Sequence, residues 1–171
     1  LNTLLPLEEG DHPRTIEAAN AYYDENPEDL LHILALSAKA KAQTELDELE
    51  AAEETLRHAA EVVARSSPVP PFHGSAYQRS RLLLDLAQLD AAERGADGPA
   101  CRHWRRQARK SVRSAMRSAS KVAWRRTEVL RLAARYHWLV GHRRRARRLF
   151  ERSVAWGEKL GAQPETARTY A

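Results

Sequence analysis

Basic residues at helical spacing are the side chains in this sequence best suited to chemistry. Six of them follow one another three or four positions apart, which on a helix draws one continuous row. We call this row the basic stripe, and its members are Arg102, Arg106, Arg109, Arg113, Arg117 and Lys121. Guanidinium groups form paired hydrogen bonds with carboxylates and phosphates. The stripe is therefore a candidate docking surface for an anionic partner.

A second group of arginines lies further along the chain. We call it the arginine cluster, and its members are Arg143, Arg144, Arg145, Arg147 and Arg148. Arg143, Arg144 and Arg147 complete the candidate docking surface. Glu128 is the single acidic residue between positions 101 and 148, so neighbouring carboxylates in the sequence do not compensate this positive charge.

Such a surface has three possible interpretations, two of which name a partner. The first is an acidic protein, either separate or a neighbouring domain of the same chain. The second is nucleic acid or another polyanion, whose binding depends on phosphate contacts. The pattern disfavours nucleic acid, because few aromatic residues are interleaved for base stacking. The tryptophans instead have spacings typical of a helical core: Trp104, Trp124, Trp138 and Trp156. The third possibility is a solvated basic face without a dedicated ligand.

The common catalytic and cofactor motifs are missing from the sequence. It contains no Gly-rich phosphate loop, HExxH, CxxC or GxSxG. Its seven histidines are scattered, without the spacing of a metal site. The single cysteine, Cys101, is expected at a helix start beside arginines, which would lower the pKa of its thiol, but no general base is adjacent. We therefore predict no enzyme activity, cofactor or metal site for this segment.

Charge is distributed unevenly along the 171 residues. Residues 1–100 carry 8 Lys and Arg against 19 Asp and Glu, whereas residues 101–171 carry 20 against 4. The net charge thus changes from −11 to +16, and we expect the two ends to face each other or neighbouring domains. One cysteine suits a reducing compartment, and no apolar run approaches the roughly 20 residues of a membrane span. These features predict a cytoplasmic chain without such a span.

Composition and periodicity predict an all-α fold. Ala, Leu, Glu and Arg dominate, and β-branched residues are few. Asp11 is the predicted cap of the first helix. The expected helices cover about 11–26, 27–44, 47–65, 77–91, 100–122, 127–140, 142–160 and a stretch from 163. Between them lie a ragged end at 1–10, a Pro-rich connector at 66–74 and a lengthened turn at 95–99. We expect a single array over 1–171, cut from a longer protein and truncated in its last repeat.

One spacing recurs three times: a small residue, a larger apolar residue four later, and a small residue three after that. The copies are Ala52, Leu56, Ala59; Ala108, Val112, Ala115; and Ala146, Phe150, Ser153. Small residues let two antiparallel helices approach closely, while the larger one fills the groove. Ala134 and Ala167 lie 33 positions apart, as do His137 and Tyr170. The period is therefore close to 34.

These features resemble the tetratricopeptide repeat (TPR), a helical hairpin of about 34 residues that stacks into a right-handed solenoid. The third copy carries the likeness best. Ala134 matches the small residue of the first helix, and Gly141 the glycine of the turn. In the second helix the matching positions are Ala146, Phe150 and Ser153, and in the truncated last repeat Ala167 and Tyr170. The resemblance implies a TPR-like solenoid of about eight helices.

A narrower resemblance covers residues 121–170. The segments 122–126, 136–141, 143–150 and 159–170 are similar to the C-terminal repeats of large bacterial signalling proteins. In those proteins a class III adenylate or guanylate cyclase, or a protein kinase, is joined to an AAA-type ATPase and then to such repeats. The likeness implies a protein-interaction or regulatory scaffold whose parent holds the enzymatic activity. The alternative function is a basic docking surface for a polyanion, as in a transcriptional regulator.

Overall fold

A computed structural model describes residues 10–25, 28–162 and 167–169. This part of the chain contains seven α-helices and one short 3₁₀ helix, and no strand. The helices are α1 (His12–Glu25), α2 (Asp29–Glu45), α3 (Leu49–Arg65), α4 (Pro71–Arg94), α5 (Gly98–Ala119), the 3₁₀ helix (Ala123–Arg125), α6 (Arg126–Leu139) and α7 (Arg143–Leu160). Residues 167–169 are also helical. The predicted all-α class is therefore confirmed for the described residues.

Capping residues begin two of the helices. Asp11 accepts a hydrogen bond from the backbone amide of Arg14 at 3.1 Å, which confirms it as the cap of α1. Asp97 does the same for α5 through the amide of Ala100, at 3.0 Å. The predicted ragged end is described at position 10 alone, and the expected starts at 27 and 163 lie outside the described residues.

The predicted connector at 66–74 is wrong in its second half. Helix α4 begins at Pro71, so Phe72, His73 and Gly74 belong to its first turn. Proline is well tolerated there, because the first amides of a helix have no intrahelical acceptor and the ring already holds a helical φ. The connector is therefore confined to Ser66–Pro70. Helix α5 also ends before the predicted 122, at Ala119.

The chain divides into two compact units, Leu1–Ala87 and Gln88–Ala171. In the first unit, α1 packs against α2, and α2 against α3. The core combines residues of α2, α3 and the part of α4 that belongs to this unit: Ile33, Leu36, Ala40, Ala52, Leu56, Ala59, Val62 and Leu84. Each is at most 6% exposed, so this cluster supplies the main apolar burial of the unit.

Buried polar contacts fix the alignment of the helices in the first unit. The Thr55 hydroxyl of α3 donates to the Gln43 side-chain carbonyl of α2 at 2.8 Å, and both residues are buried. The Ser80 hydroxyl of α4 donates to the carbonyl of Ser37 at 2.7 Å. Such groups are costly to bury without partners, so each bond favours one relative position of its two helices.

In the second unit, α7 packs on α6 and α6 on α5. Its core contains Leu130, Ala133 and Ala134 of α6 with Leu149 of α7. Val112 and Met116 of α5, and Phe150 and Trp156 of α7, cover this core as partly buried residues. The prediction of a single array over 1–171 stays a prediction.

Three turns between helices share one backbone conformation. Asp47, Ala96 and Gly141 have φ values of 63°, 53° and 80°, in the left-handed region. In each turn the following amide donates back to a carbonyl five residues earlier, as in a Schellman motif. The amides of Glu48, Asp97 and His142 donate in this way at 2.9, 3.2 and 2.8 Å. Helices α2, α4 and α6 therefore end in the same manner.

Hairpins α2–α3 and α6–α7 also bury alanines at matching steps. Ala40 and Ala134 lie seven residues before the left-handed residue, and Ala52 and Ala146 lie five residues after it. All four are fully buried. Small residues at these steps let the backbones of the paired helices approach closely. The two hairpins are thus built on one plan.

Candidate docking surface

The five arginines of the basic stripe lie on the solvent side of α5, and Lys121 follows in the turn after the last residue of this helix, Ala119. All six members are exposed, while Cys101, Ala108, Ser111, Ala115 and Ala119 form the buried face of this helix. No stripe residue forms an ion pair with another described residue. The neighbouring Arg105 does, with Glu93 at 2.6 Å. The stripe therefore presents uncompensated cations along the whole length of α5.

The arginine cluster occupies the first turns of α7. Arg143, Arg144 and Arg147 are exposed; Arg147 pairs with Glu151 at 2.9 Å, and Arg143 lies 3.6 Å from the ring centre of Trp138. Cations near a helix N-terminus oppose the macrodipole by about 0.3–1 kcal/mol each. Their position thus weakens α7 rather than supporting it, which favours a role in binding.

The tryptophans are not core residues, contrary to what their spacing indicates. Trp124 and Trp138 are 45% and 51% exposed, and Trp104 and Trp156 are half-buried. Arg125 lies over Trp124 at 3.8 Å. Helical periodicity alone misplaces them, because Trp124 lies in the 3₁₀ helix and Trp138 in the last turn of α6. Trp138 and Arg143 therefore place one exposed aromatic ring beside a cation of the candidate surface.

A cavity of about 190 Å³ opens among α5, α6 and α7. We call it the Trp156 pocket, and its lining residues are Met116, Ala119, Ser120, Arg126, Leu130, Arg152 and Trp156. Arg126 donates from Nε to the carbonyl of Ala119 at 3.1 Å and from Nη2 to that of Ser120 at 2.8 Å. The Arg126 guanidinium also lies 4.6 Å from the ring centre of Trp156. These contacts hold the pocket wall in place.

A second row of cations leads to this pocket, and it extends the arginine cluster by one residue that the sequence pattern did not single out, Arg152. We call it the α7 row, and it comprises Arg145, Arg148 and Arg152, which are exposed at spacings of three and four. Trp156 follows Arg152 by one helical turn. The signal was present in the sequence, because the row continues at the same spacing into a tryptophan. Arg126 was missed for another reason: only the fold brings it against Trp156.

The predicted repeat-packing residues occupy varied environments. Ala52, Leu56, Ala59, Ala108, Ala115, Ala134, Ala146 and Ser153 are buried; Val112 and Phe150 are half-buried; Gly141 has a left-handed φ. Ala167 is exposed, and Tyr170 lies outside the described residues. The buried Ser153 hydroxyl donates to the carbonyl of Thr127 at 2.7 Å, which ties α7 to the start of α6.

The middle copy of the spacing has a different register in the structure. Counting five residues from the left-handed Ala96 leads to Cys101, as counting from Asp47 leads to Ala52. Ala108 then corresponds to Ala59 rather than to Ala52. The predicted lengthened turn at 95–99 hides this register, because α5 already begins at Gly98 and the turn is correspondingly shorter.

The Cys101 thiol is less reactive than its neighbours in sequence suggest. It is buried, and burial raises the pKa of the thiol, with the carboxylate of Glu93 acting in the same direction. The expected lowering by nearby arginines is outweighed, although Arg105 contributes to it. A thiol with a raised pKa is a poor nucleophile at neutral pH.

The described residues hold no cluster of three or more His, Cys, Asp or Glu arranged to bind a metal ion. None of the described helices combines the length and apolar character required to cross a membrane. Comparison with protein-family models, curated proteins and solved structures gives no match to this chain. The basic stripe, the arginine cluster and the Trp156 pocket are thus the features on which a function can be argued.

Proposed function

We propose that this chain is a protein-interaction module of TPR-like hairpins that binds an acidic partner through the basic stripe. The observation that carries the proposal is the exposure of all six stripe residues without an ion pair to any described residue. The partner is a separate protein or a neighbouring domain of the same polypeptide. Carboxylates on that partner would complete hydrogen bonds that the arginines leave open within the described chain.

The shared plan of hairpins α2–α3 and α6–α7 supports the TPR-like part of the proposal. Repeated hairpins that bury small residues at the same steps are suited to stacking into a right-handed solenoid. Such modules present long surfaces to partners without performing chemistry themselves. The proposal accordingly assigns no catalytic residue and no cofactor to this segment.

The cellular setting extends the same proposal. The resemblance of residues 121–170 to bacterial signalling proteins suggests a cytoplasmic regulatory scaffold. Its parent would carry a class III cyclase or kinase and an AAA-type ATPase. In that setting the docking surface would relay the binding of a partner to an enzymatic domain elsewhere in the polypeptide.

Charge reversal tests the docking function. A labelled Glu-rich peptide is titrated with the wild-type chain, and binding is followed by fluorescence anisotropy at several salt concentrations. We expect affinity that falls with salt, and a loss of tenfold or more in Arg109→Glu/Arg113→Glu. The matched control, Arg14→Glu/Arg94→Glu, changes the net charge equally at exposed sites outside the stripe. Equal binding by the two variants, or no binding to the wild type, contradicts the proposal.

Polyanion binding is a second candidate, because Trp124 and Trp138 are exposed beside arginines. Exposed aromatic rings within a basic surface are typical of proteins that bind single-stranded nucleic acid. The same titration with single-stranded and duplex oligonucleotides tests it. Tight oligonucleotide binding that Trp138→Ala weakens, with no effect of that change on the Glu-rich peptide, favours the polyanion.

A further inference from the structure

We propose that the Trp156 pocket receives one large apolar side chain of an acidic protein segment lying along the basic stripe. The inference rests on the proposed function and deepens it by naming the second feature that the partner must carry. The stripe alone selects for negative charge. The pocket adds a requirement for an apolar anchor at a fixed place in the segment.

The size and lining of the pocket suit one side chain. Its volume of about 190 Å³ lies below the roughly 300–1,000 Å³ of pockets that hold whole ligands. Met116, Leu130 and Trp156 supply apolar surface, and the exposed Ser120 and Arg152 lie at the rim. Protein partners often place an aromatic or large aliphatic residue in such a pocket, which then contributes much of the binding energy.

The basic stripe leads directly to this rim. Met116 follows Arg113 by three residues on one side of α5, and Ser120, seven residues after Arg113, continues that side as the first residue after the helix. On the other side the α7 row ends at Arg152, which itself lines the pocket. Arg152 forms no ion pair with any described residue. An apolar anchor in the pocket would therefore be flanked on both sides by cations that favour acidic neighbours.

The surroundings of Trp156 favour a protein segment over a nucleic-acid base. Arg126 and Lys159 lie over its ring, 4.6 and 5.0 Å from the ring centre. A base that stacks on Trp156 would compete with these cations for the ring. An aliphatic or aromatic side chain can instead enter beside Met116 and Leu130 without displacing either cation. Because Arg126 is held by two carbonyls, the pocket wall is formed before the partner binds.

The single methionine of the chain gives a direct reading of pocket occupancy. Met116 is labelled with a ¹³C methyl group, and its resonance is assigned with Met116→Leu. Two Glu-rich peptides are added in turn, identical except for a central Phe in one and Ala in the other. We expect the Phe peptide to shift the Met116 methyl through its ring current and to bind about tenfold more tightly, equivalent to about 1.4 kcal/mol. The Ala peptide should leave the methyl resonance in place.

Two variants that add the same side chain provide the control. Ser120→Phe fills the pocket from its rim, whereas Ala155→Phe adds a ring at an exposed position of α7 that does not line the pocket. The advantage of the Phe peptide should disappear in Ser120→Phe and persist in Ala155→Phe. Both variants should bind the Ala peptide like the wild type, since neither changes a charge. The wild-type comparison of the two peptides decides the question if Ser120→Phe fails to fold.

The outcomes separate the pocket from the docking function. Equal binding of both peptides, with an unmoved Met116 methyl, overturns the role of the pocket and leaves the docking function standing. No binding of either peptide overturns both. A Met116 shift produced by an oligonucleotide and by neither peptide overturns the inference in favour of a polyanion.

Discussion

Nδ1 of His137 lies 3.4 Å from Nδ1 of His142, at the turn that joins α6 to α7. His137 is buried, its ring contacts that of Tyr136, and the positive charge of Arg145 acts on it from α7. Burial first, and then the charges of Arg145 and His142, lower the pKa of His137 to about 4. The imidazole is therefore neutral in the folded chain at mildly acidic pH.

This lowered pKa predicts a loss of stability on acidification. An unfolded histidine has a pKa of about 6.5, so between that pH and about 4 the unfolded state binds the extra proton. The stabilisation from a neutral His137 is fully present above pH 6.5 and is lost as the pH falls. At pH 4 this loss should lower the free energy of unfolding by about 2–3 kcal/mol. Urea unfolding across this range should show a smaller loss in His137→Gln than in the wild type. The exposed His103 is the control, and a His103→Gln variant that flattens the profile equally would contradict the assignment.

The left-handed turns predict opposite effects of alanine and glycine. Ala96 carries a conformation that costs a residue with a side chain about 1 kcal/mol, so Ala96→Gly should raise the free energy of unfolding by that amount. Gly141→Ala should lower the free energy of unfolding by a similar amount. The cause would be backbone strain rather than a clash, since a methyl group there would meet no atom within 4 Å. Ala91→Gly, within α4, is the control and should destabilise. Denaturant titrations of the wild type and the three variants would measure these differences as shifts in midpoint at unchanged slope.

Burial should determine how much each of two arginine-paired carboxylates contributes to the stability of the fold. Asp85 is 1% exposed and accepts from Arg81, which also pairs with Glu53. Burial opposes the charge of Arg81, but its hydrogen bonds to Glu53 and Asp85 outweigh this effect and raise its pKa. Asp85→Ala should therefore destabilise by about 2 kcal/mol, since it removes the buried partner of Arg81 and leaves the partly exposed Glu53 to balance its charge.

The comparison for Asp85 is Glu54, an exposed carboxylate that pairs with Arg57 on α3. Glu54→Ala should change stability little, because solvent screens the pair. Thermal unfolding of the two variants gives the answer. Similar losses in both would mean that pairing geometry, rather than burial, sets the energy.

Leu56 and Phe150 occupy the same step of the repeated spacing but differ in burial. Leu56 is 1% exposed, so Leu56→Ala should cost about 3 kcal/mol in a denaturant melt. Phe150 is half-buried at the edge of its core, and Phe150→Ala should cost less, about 1–2 kcal/mol. Ala146→Leu, at a fully buried site, should destabilise by overpacking. A larger loss of stability for Phe150→Ala than for Leu56→Ala would contradict the ranking by burial.

Local signals in the sequence located most of the helices. Asp11 caps α1 as its type and position indicate, and the periodicity of apolar residues gives α2, α3 and α7 to within a few residues. The predicted start of α4 is wrong, because a run of prolines indicates a break in the helix, whereas Pro71 occupies the first turn, where proline is well suited. Helical propensity and capping act over a few residues, which is why the sequence alone reveals them.

The candidate site was only half predictable. The basic stripe follows from the spacing of α5 residues, since one helix face needs no tertiary information. The Trp156 pocket needs three helices, and the pairing of Arg126 with Trp156 depends on how α6 packs on α7. Spacing within one helix does not determine which side chain of another helix faces it.

The hydrogen bond from Thr55 to Gln43 helps to select one alignment of α2 against α3 during folding. Ala40 and Ala52 let the two helices approach closely, and apolar contacts by themselves depend little on direction. The hydroxyl and the amide have no such freedom, because a shifted pairing would leave both buried without a partner. Buried alanines thus bring the helices close, and directional pairs, Thr55 with Gln43 and Arg65 with Asp29, select one alignment of the two.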